Sequence, residues 1–185
     1  MTSRSSVGAV VVEDTRQQAG KHANVERWMR AHGVAFLPRA RALPFGDYVA
    51  ETPGGEPLGN VSVDTKRSLE EVASNLTREH DRFARECDRA AEAGWRLVVL
   101  VEGMPTCPGP EAVGEWAAHR CAVCRRCRPG RGWACPRRLV TPAKAASAAK
   151  AMATMAARHG VAFEFCGRAD TGRRICELLG VGWDG

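Results

Sequence analysis

The sequence has no apolar run long enough to cross a bilayer. Its two longest, residues 7–12 and 97–101, fall far short of the ~18 residues a spanning helix needs. The N-terminal Met-Thr-Ser-Arg-Ser-Ser also lacks the apolar stretch of a signal peptide. These absences lead to the expectation of a soluble, cytoplasmic protein without a membrane partner. In that setting the eight cysteines are expected as reduced thiols or metal ligands rather than disulfides. No internal repeat is visible. A third absence is local: residues 116–163 contain no Asp or Glu. The same stretch holds ten Lys or Arg, leaving 17 basic and 21 acidic residues elsewhere. The net charge of +6 is therefore a +10 segment joined to a −4 body. Such a concentrated field favours a polyanionic partner, without distinguishing DNA from RNA or an acidic protein.

What is present suits one packed domain. The 185 residues are 44% apolar and 26% charged, which is incompatible with wholesale disorder. Residues 7–12 read as a buried strand whose carboxylates, Glu13 and Asp14, emerge at its C-terminal end. Residues 20–32 suit a helix stopped by Gly33, and residues 34–43 have strand-like spacing. Pro44 to Asp47 form a turn into a short strand at 48–50, residues 52–59 a loop, and 60–66 a further strand. Ser68 and Glu71 have capping-box spacing for the next helix, and a second helix runs over 79–93. Residues 96–102 are the clearest strand. Helices are expected at 111–118, 142–159 and 171–179, with a strand at 161–166. Interleaved strands and helices predict an α/β domain with a central mixed β-sheet flanked by helices.

Residues two apart on a strand share a face, so Asp64 and Lys66 project together while Thr65 points away. An acid beside a lysine is ordinarily a simple ion pair. Here Asp14, Asp47 and Glu102 also stand at strand ends or turns. Carboxylates arranged this way can converge on a hard divalent cation, which takes oxygen ligands and retains water. A neighbouring lysine could orient or help deprotonate the attacking water, or steady a phosphate.

Three ordered segments, Val12-Glu13-Asp14-Thr15-Arg16, Leu43-Pro44-Phe45-Gly46-Asp47-Tyr48 and Val63-Asp64-Thr65-Lys66-Arg67-Ser68-Leu69-Glu70, resemble the motifs of the XPF-type nuclease domain. That family belongs to the PD-(D/E)XK, restriction-endonuclease-like superfamily. Residues 75–102, with Arg82, and the close of the chain also resemble it, the latter looking like the short stand-alone versions of phages and bacteria. The resemblance spares only about residues 107–139. It implies a restriction-endonuclease-like core over residues 7–183, with metal-binding carboxylates at Asp14, Asp47 and Asp64 and Lys66 as catalytic lysine. Arg16, Glu70 and Glu102 would be supporting residues. Gln17 stands where the family usually has Glu, and Asp64-Thr65 replace its Glu-Arg. The implied reaction is Mg²⁺- or Mn²⁺-dependent hydrolysis of DNA phosphodiesters. Branched, flap or junction substrates would be expected, in repair, recombination or phage DNA processing.

A Cys/Arg-rich insertion at 119–138 is a separate feature. Cys121, Cys124, Cys127 and Cys135 supply four thiolates, with His119 and Cys107 upstream, enough for tetrahedral Zn²⁺. The spacing also resembles a stretched iron–sulfur pattern, and a metal-free loop is the third option. Cys87, Cys166 and Cys176 lie on apolar faces and read as buried. Candidate DNA contacts are Arg82, Arg125, Arg126, Arg128, Arg131, Arg173 and Arg174. The remaining basic residues of the 78–89 helix read as a solvated, salt-bridged face. The Thr171–Arg174 segment opens a helix, where N–H groups favour phosphate, and Trp116 and Trp133 could stack on bases. Larger XPF-type proteins carry helix-hairpin-helix domains, a role the insertion or a homodimer could take here. The alternatives are a non-catalytic DNA-binding module of the same fold and a Zn-dependent protein-interaction module.

Overall fold

The computed structural model describes residues 8–17, 20, 22–124, 126–127 and 135–184. Six strands form one sheet in the order β2-β1-β3-β4-β5-β6. They are β1 (Val10–Asp14), β2 (Ala35–Arg41), β3 (Tyr48–Glu51), β4 (Val61–Lys66), β5 (Arg96–Glu102) and β6 (Ala162–Cys166). β3 runs antiparallel to both β1 and β4, whereas β1–β2, β4–β5 and β5–β6 are parallel. The sheet is therefore mixed, as the interleaved pattern predicts.

Helices cover both faces. On one lie α2 (Leu69–Asn75), α3 (His80–Glu92), α4 (Val113–Val123) and α5 (Pro142–His159); on the other lie α1 (Ala23–Ala31) and α6 (Thr171–Leu179). β5 shows why the core divides this way. Leu97, Val99 and Val101 enter the α2–α5 side, and Leu100 enters the α1/α6 side. Six of its seven residues are buried, the pattern of a parallel strand covered on both faces. Truncating a fully buried core side chain such as Met152 to Ala would cost about 2–5 kcal/mol.

The local signals operate as written. Ser68 accepts the Glu71 N–H at 3.3 Å, while the Glu71 carboxylate returns to the N–H of Arg67 rather than that of Ser68. Thr141 caps α5, and Gly160 (φ 67°) closes it. Two boundaries move. β1 lies further along than residues 7–12, so Glu13 and Asp14 are strand residues; Glu13 pairs with Tyr48 in β3, and Val7 lies outside the described residues. α4 runs five residues beyond the expected 118, so Cys121 is helical and the Cys/Arg-rich segment begins inside a helix. Among the described residues no cysteine is disulfide-bonded, and no helix is long and apolar enough to cross a membrane.

Candidate active site

Asp47 is set by the turn before β3. Gly46 has φ 59°, and a Cβ there would stand 2.5 Å from Ser62 Oγ and 3.0 Å from the Val63 carbonyl. Only glycine accepts both that φ and that approach. The turn lets Asp47 N–H donate to the Val63 carbonyl (2.8 Å) while its own carbonyl accepts from Asp14 N–H (2.9 Å). Asp47 thereby joins β1 to β4. Its Oδ2 accepts from Thr65 N (2.8 Å) and Thr65 Oγ1 (2.5 Å), and Oδ1 accepts from the Gln17 amide.

Asp64 and Lys66 share a face of β4, as their spacing predicts, and Lys66 Nζ stands 2.7 Å and 2.9 Å from the two Asp64 oxygens. Both side chains are largely buried, 9% and 14% exposed. Burial, reinforced by the Asp64 charge, pushes the Asp47 pKa up to about 6, against the opposing Thr65 hydrogen bonds and Lys66 charge. Burial disfavours the Lys66 cation, but Asp64 and Asp47 outweigh it and raise its pKa above the ordinary lysine value. Asp47 thus lies within electrostatic reach of the Asp64–Lys66 pair, and a second cation there would relieve net negative charge.

Asp14 is held differently. Its Oδ1 accepts from Arg16 N (2.6 Å) and Nε (2.9 Å), and Oδ2 from Arg16 Nη2 (2.6 Å) and Leu43 N (2.7 Å). Burial alone would raise its pKa, but these donors bring it below the ordinary aspartate value. Arg16 also donates to the Leu43 carbonyl, fixing the turn entry.

Behind Asp47 a polar chain crosses to the α1/α6 side, and spacing alone gave no sign of it. Thr65 Oγ1 lies 3.3 Å from His22 Nε2, and His22 Nδ1 lies 2.6 Å from the Tyr48 hydroxyl, which donates to Glu13 (2.9 Å). All of these side chains are buried. Glu13 also accepts the Arg39 N–H beside the register shift between β1 and β2. Thr65 does point away from Asp64, yet it is the residue that orients Asp47. Glu102 belongs to this opposite side rather than to the Asp47–Asp64 corner. It is buried, its pKa is raised by burial, and its Oε1 has no partner among the described residues.

The donor chemistry of Asp47 and Asp64 fits a hard divalent ion, which needs one or two carboxylates because water fills its other positions. Among the described residues no three His, Cys, Asp or Glu side chains are grouped to hold a metal ion, so neither Asp14 nor Glu102 completes a three-acid cluster. The same holds for Cys121, Cys124, Cys127 and Cys135. Cys124 is half-buried, and the Arg126 N–H and Arg137 lower its thiol pKa. Cys107 is a core residue donating to the Gly109 carbonyl. Cys87, Cys166 and Cys176 are buried, with thiols pushed up to about 12, 11 and 12 by burial.

Glu70 is engaged by partners from other elements. It accepts from Val140 N (2.8 Å) and Arg120 (3.1 Å), tying α2 to α4 and to the end of the Cys/Arg-rich segment. Trp116 is engaged too: the Arg120 guanidinium sits 4.6 Å from its ring centroid. Arg82 is exposed and paired with Glu79. Arg173 bonds Glu177 and Asp170, and Arg174 bonds Glu177 and Glu164. Gly172 at the start of α6 serves close packing, since a Cβ there would stand 2.9 Å from Trp28. Arg126 is exposed; Arg125, Arg128, Arg131 and Trp133 lie outside the described residues.

No family model matches this sequence, and no curated protein matches it. Among solved structures, XPF from Aeropyrum pernix superposes with a TM-score of 0.53 at 20% sequence identity, covering 92% of this chain and 63% of that one. The chain thus spans less than two thirds of that neighbour's length. Together with the six-stranded mixed sheet and its two helical layers, this likeness shows an XPF-like, restriction-endonuclease-like α/β fold.

Proposed function

We propose that the protein is a divalent-metal-dependent endodeoxyribonuclease of the PD-(D/E)XK type, cutting branched, flap or junction DNA in Mg²⁺ or Mn²⁺. The observation that supports this reading most is the buried Asp64–Lys66 pair with Asp47 within its electrostatic reach on an XPF-like fold. Asp47 and Asp64 would hold the ion. When bound, it supplies positive charge to the phosphate and lowers the pKa of a coordinated water.

The chain's own residues have defined tasks in this scheme. Thr65 and Gln17 orient the Asp47 carboxylate. Asp47, with a pKa of about 6, is ionised at neutral pH and able to bind a cation. Lys66 is charged there, since its pKa is raised, and so serves to steady a phosphate oxygen rather than as a neutral base. Arg16 fixes Asp14 beside them.

Purified protein assayed on fork, flap, junction and linear DNA tests the proposal. Mg²⁺-dependent cleavage, lost in folded Asp64→Ala and Lys66→Ala proteins, is the expected result. A second reading, a DNA-binding module without catalysis, draws on the fourfold-saturated Asp14 and on Gln17. It takes over if wild type binds these DNAs yet cuts none in Mg²⁺ or Mn²⁺. A single unit over 7–183 with its insertion at 119–138, a cytoplasmic setting and a role in repair, recombination or phage DNA processing belong to the same proposal. Zinc analysis and solution mass of that sample test the Cys segment and a homodimer.

A further inference from the structure

A groove of about 630 Å³ runs between α2, α5 and the segment that returns from the Cys/Arg-rich insertion. Its walls carry Arg78, Arg138 and Lys144, with Thr77, Thr141 and Ser147 between them. All three cationic side chains are exposed, and none has a hydrogen bond or ion pair among the described residues. The single acid on the lining, Glu70, is occupied by Arg120 and Val140 N–H. Burial tends to raise Glu70, but the Val140 N–H and the other partners bring its pKa below the ordinary value, so it stays a fixed part of the wall. This contrasts with α6, where both arginines are bonded to neighbouring acids. Unneutralised cations facing one another in a concavity repel, a cost that a polyanion removes.

Location and shape define the occupant. Lys66 ends β4 and Glu70, on the groove wall, lies in the first turn of α2, so the groove begins four residues along the chain from Lys66. It then follows α2, whose seven residues rise about 10 Å. The volume is that of a small-molecule pocket, ~300–1,000 Å³, which admits a short stretch of one strand and excludes a duplex. No aromatic side chain is on the lining, so bases have nothing to stack on and contact is made to phosphates. Thr141 Oγ1 accepts from Lys144 N and keeps its proton for a phosphate oxygen, whereas Thr77 and Ser147 donate theirs to the Ala73 and Ala143 carbonyls.

We propose that this groove is the binding channel for a single-stranded DNA arm, held by its backbone without regard to sequence and led toward Asp47, Asp64 and Lys66. The assignment rests on the nuclease reading above and specifies the part of a branched substrate that is gripped.

The test is fluorescence anisotropy of full-length protein in EDTA, with labelled oligothymidylate and a duplex of equal length. Replacing Arg78, Arg138 and Lys144 together by Ala should weaken oligothymidylate binding at least about tenfold and reduce the salt slope by about 2, with ~0.7 per neutralised phosphate on a single strand. Duplex affinity should change far less. If the triple variant is not folded by circular dichroism, Ser147→Glu, at an exposed groove position, sets a carboxylate in the channel and should give the same selective loss. Unchanged oligothymidylate affinity and slope in a folded variant overturns the channel. Polyglutamate that displaces oligothymidylate equally well also overturns it, in favour of an acidic protein partner. Wild type that cuts branched DNA while the variant binds normally refutes the channel alone. Wild type that neither binds nor cuts any DNA refutes the nuclease reading as well.

Discussion

Asp14 and Asp47 stand at neighbouring strand ends, joined by a backbone hydrogen bond, and are held in opposite ways. Asp14 accepts four hydrogen bonds, three from Arg16, and its pKa is lowered. Asp47 is pushed up to about 6 by burial and the nearby Asp64 charge, against hydrogen bonds from neutral donors only. The same side chain is therefore a fully hydrogen-bonded anion at position 14 and a carboxylate pushed toward its protonated form at position 47. Motif position does not separate them; the donor set does.

Cleavage gives the largest expected contrast. Asp47→Asn should reduce kcat/KM on branched DNA about a thousandfold, ~4 kcal/mol of transition-state stabilisation. Asp14→Asn should reduce it no more than about tenfold, while lowering stability by ~1–3 kcal/mol because two of four donors then face an amide NH₂. Equal loss of cleavage in the two folded variants would erase the distinction.

Next comes the glycine that presents Asp47. Gly46→Ala combines positive φ with a close approach to the Val63 backbone and should destabilise by roughly 2–4 kcal/mol, read as a fall in the urea midpoint. A midpoint within experimental error of wild type would mean that this turn relaxes freely.

The pH dependence has a definite sign. Asp47 has a higher pKa folded, about 6, than its ordinary 3.8, so its folded site favours the proton. The stability it contributes is fully present below about pH 4 and is lost as pH rises through 6, on the order of 3 kcal/mol by pH 8 without divalent ions. Urea unfolding in EDTA should show that loss in wild type and not in Asp47→Asn. Asp14 has the opposite sign, its contribution disappearing as pH falls below its ordinary value. Cleavage should rise with pH through 6 as Asp47 ionises.

The smallest effect sharpens the contrast most directly. Gln17→Glu replaces the amide that donates to Asp47 with a third negative charge. It should lower stability in EDTA by about 1 kcal/mol and reduce the Mg²⁺ concentration needed for half-maximal cleavage. An increased Mg²⁺ requirement would show that the Gln17 amide is worth more to the site than its charge.

Much of the fold was legible in the residues. The all-apolar run of β5, the Ser68 cap and Gly160 identify elements whose limits depend on neighbours in sequence, and the pairing of Asp64 with Lys66 follows from strand alternation. The start of β1 was less legible, because partner strands set where pairing begins. Spacing also could not show that Glu102 and Asp64 occupy opposite faces of the sheet. Strand parity is defined within a strand, and the register between β4 and β5 joins the two only after folding. The partners of Glu70, Arg120 and Val140, lie 50 and 70 residues away, beyond any local pattern.

The sequence by itself determined the alternating strands and helices, the acids at strand ends, the lone lysine beside Asp64 and the concentration of positive charge in residues 116–163. Those follow from side-chain chemistry and short-range periodicity. Only the tertiary structure decided which carboxylate is held as an anion and which is driven toward its protonated form, because burial and the Asp64 charge act on Asp47 and Leu43, Gln17 and Thr65 reach these acids from 18 to 30 residues away. It also decided which cations are neutralised by acids beside them and which are left facing one another across a groove.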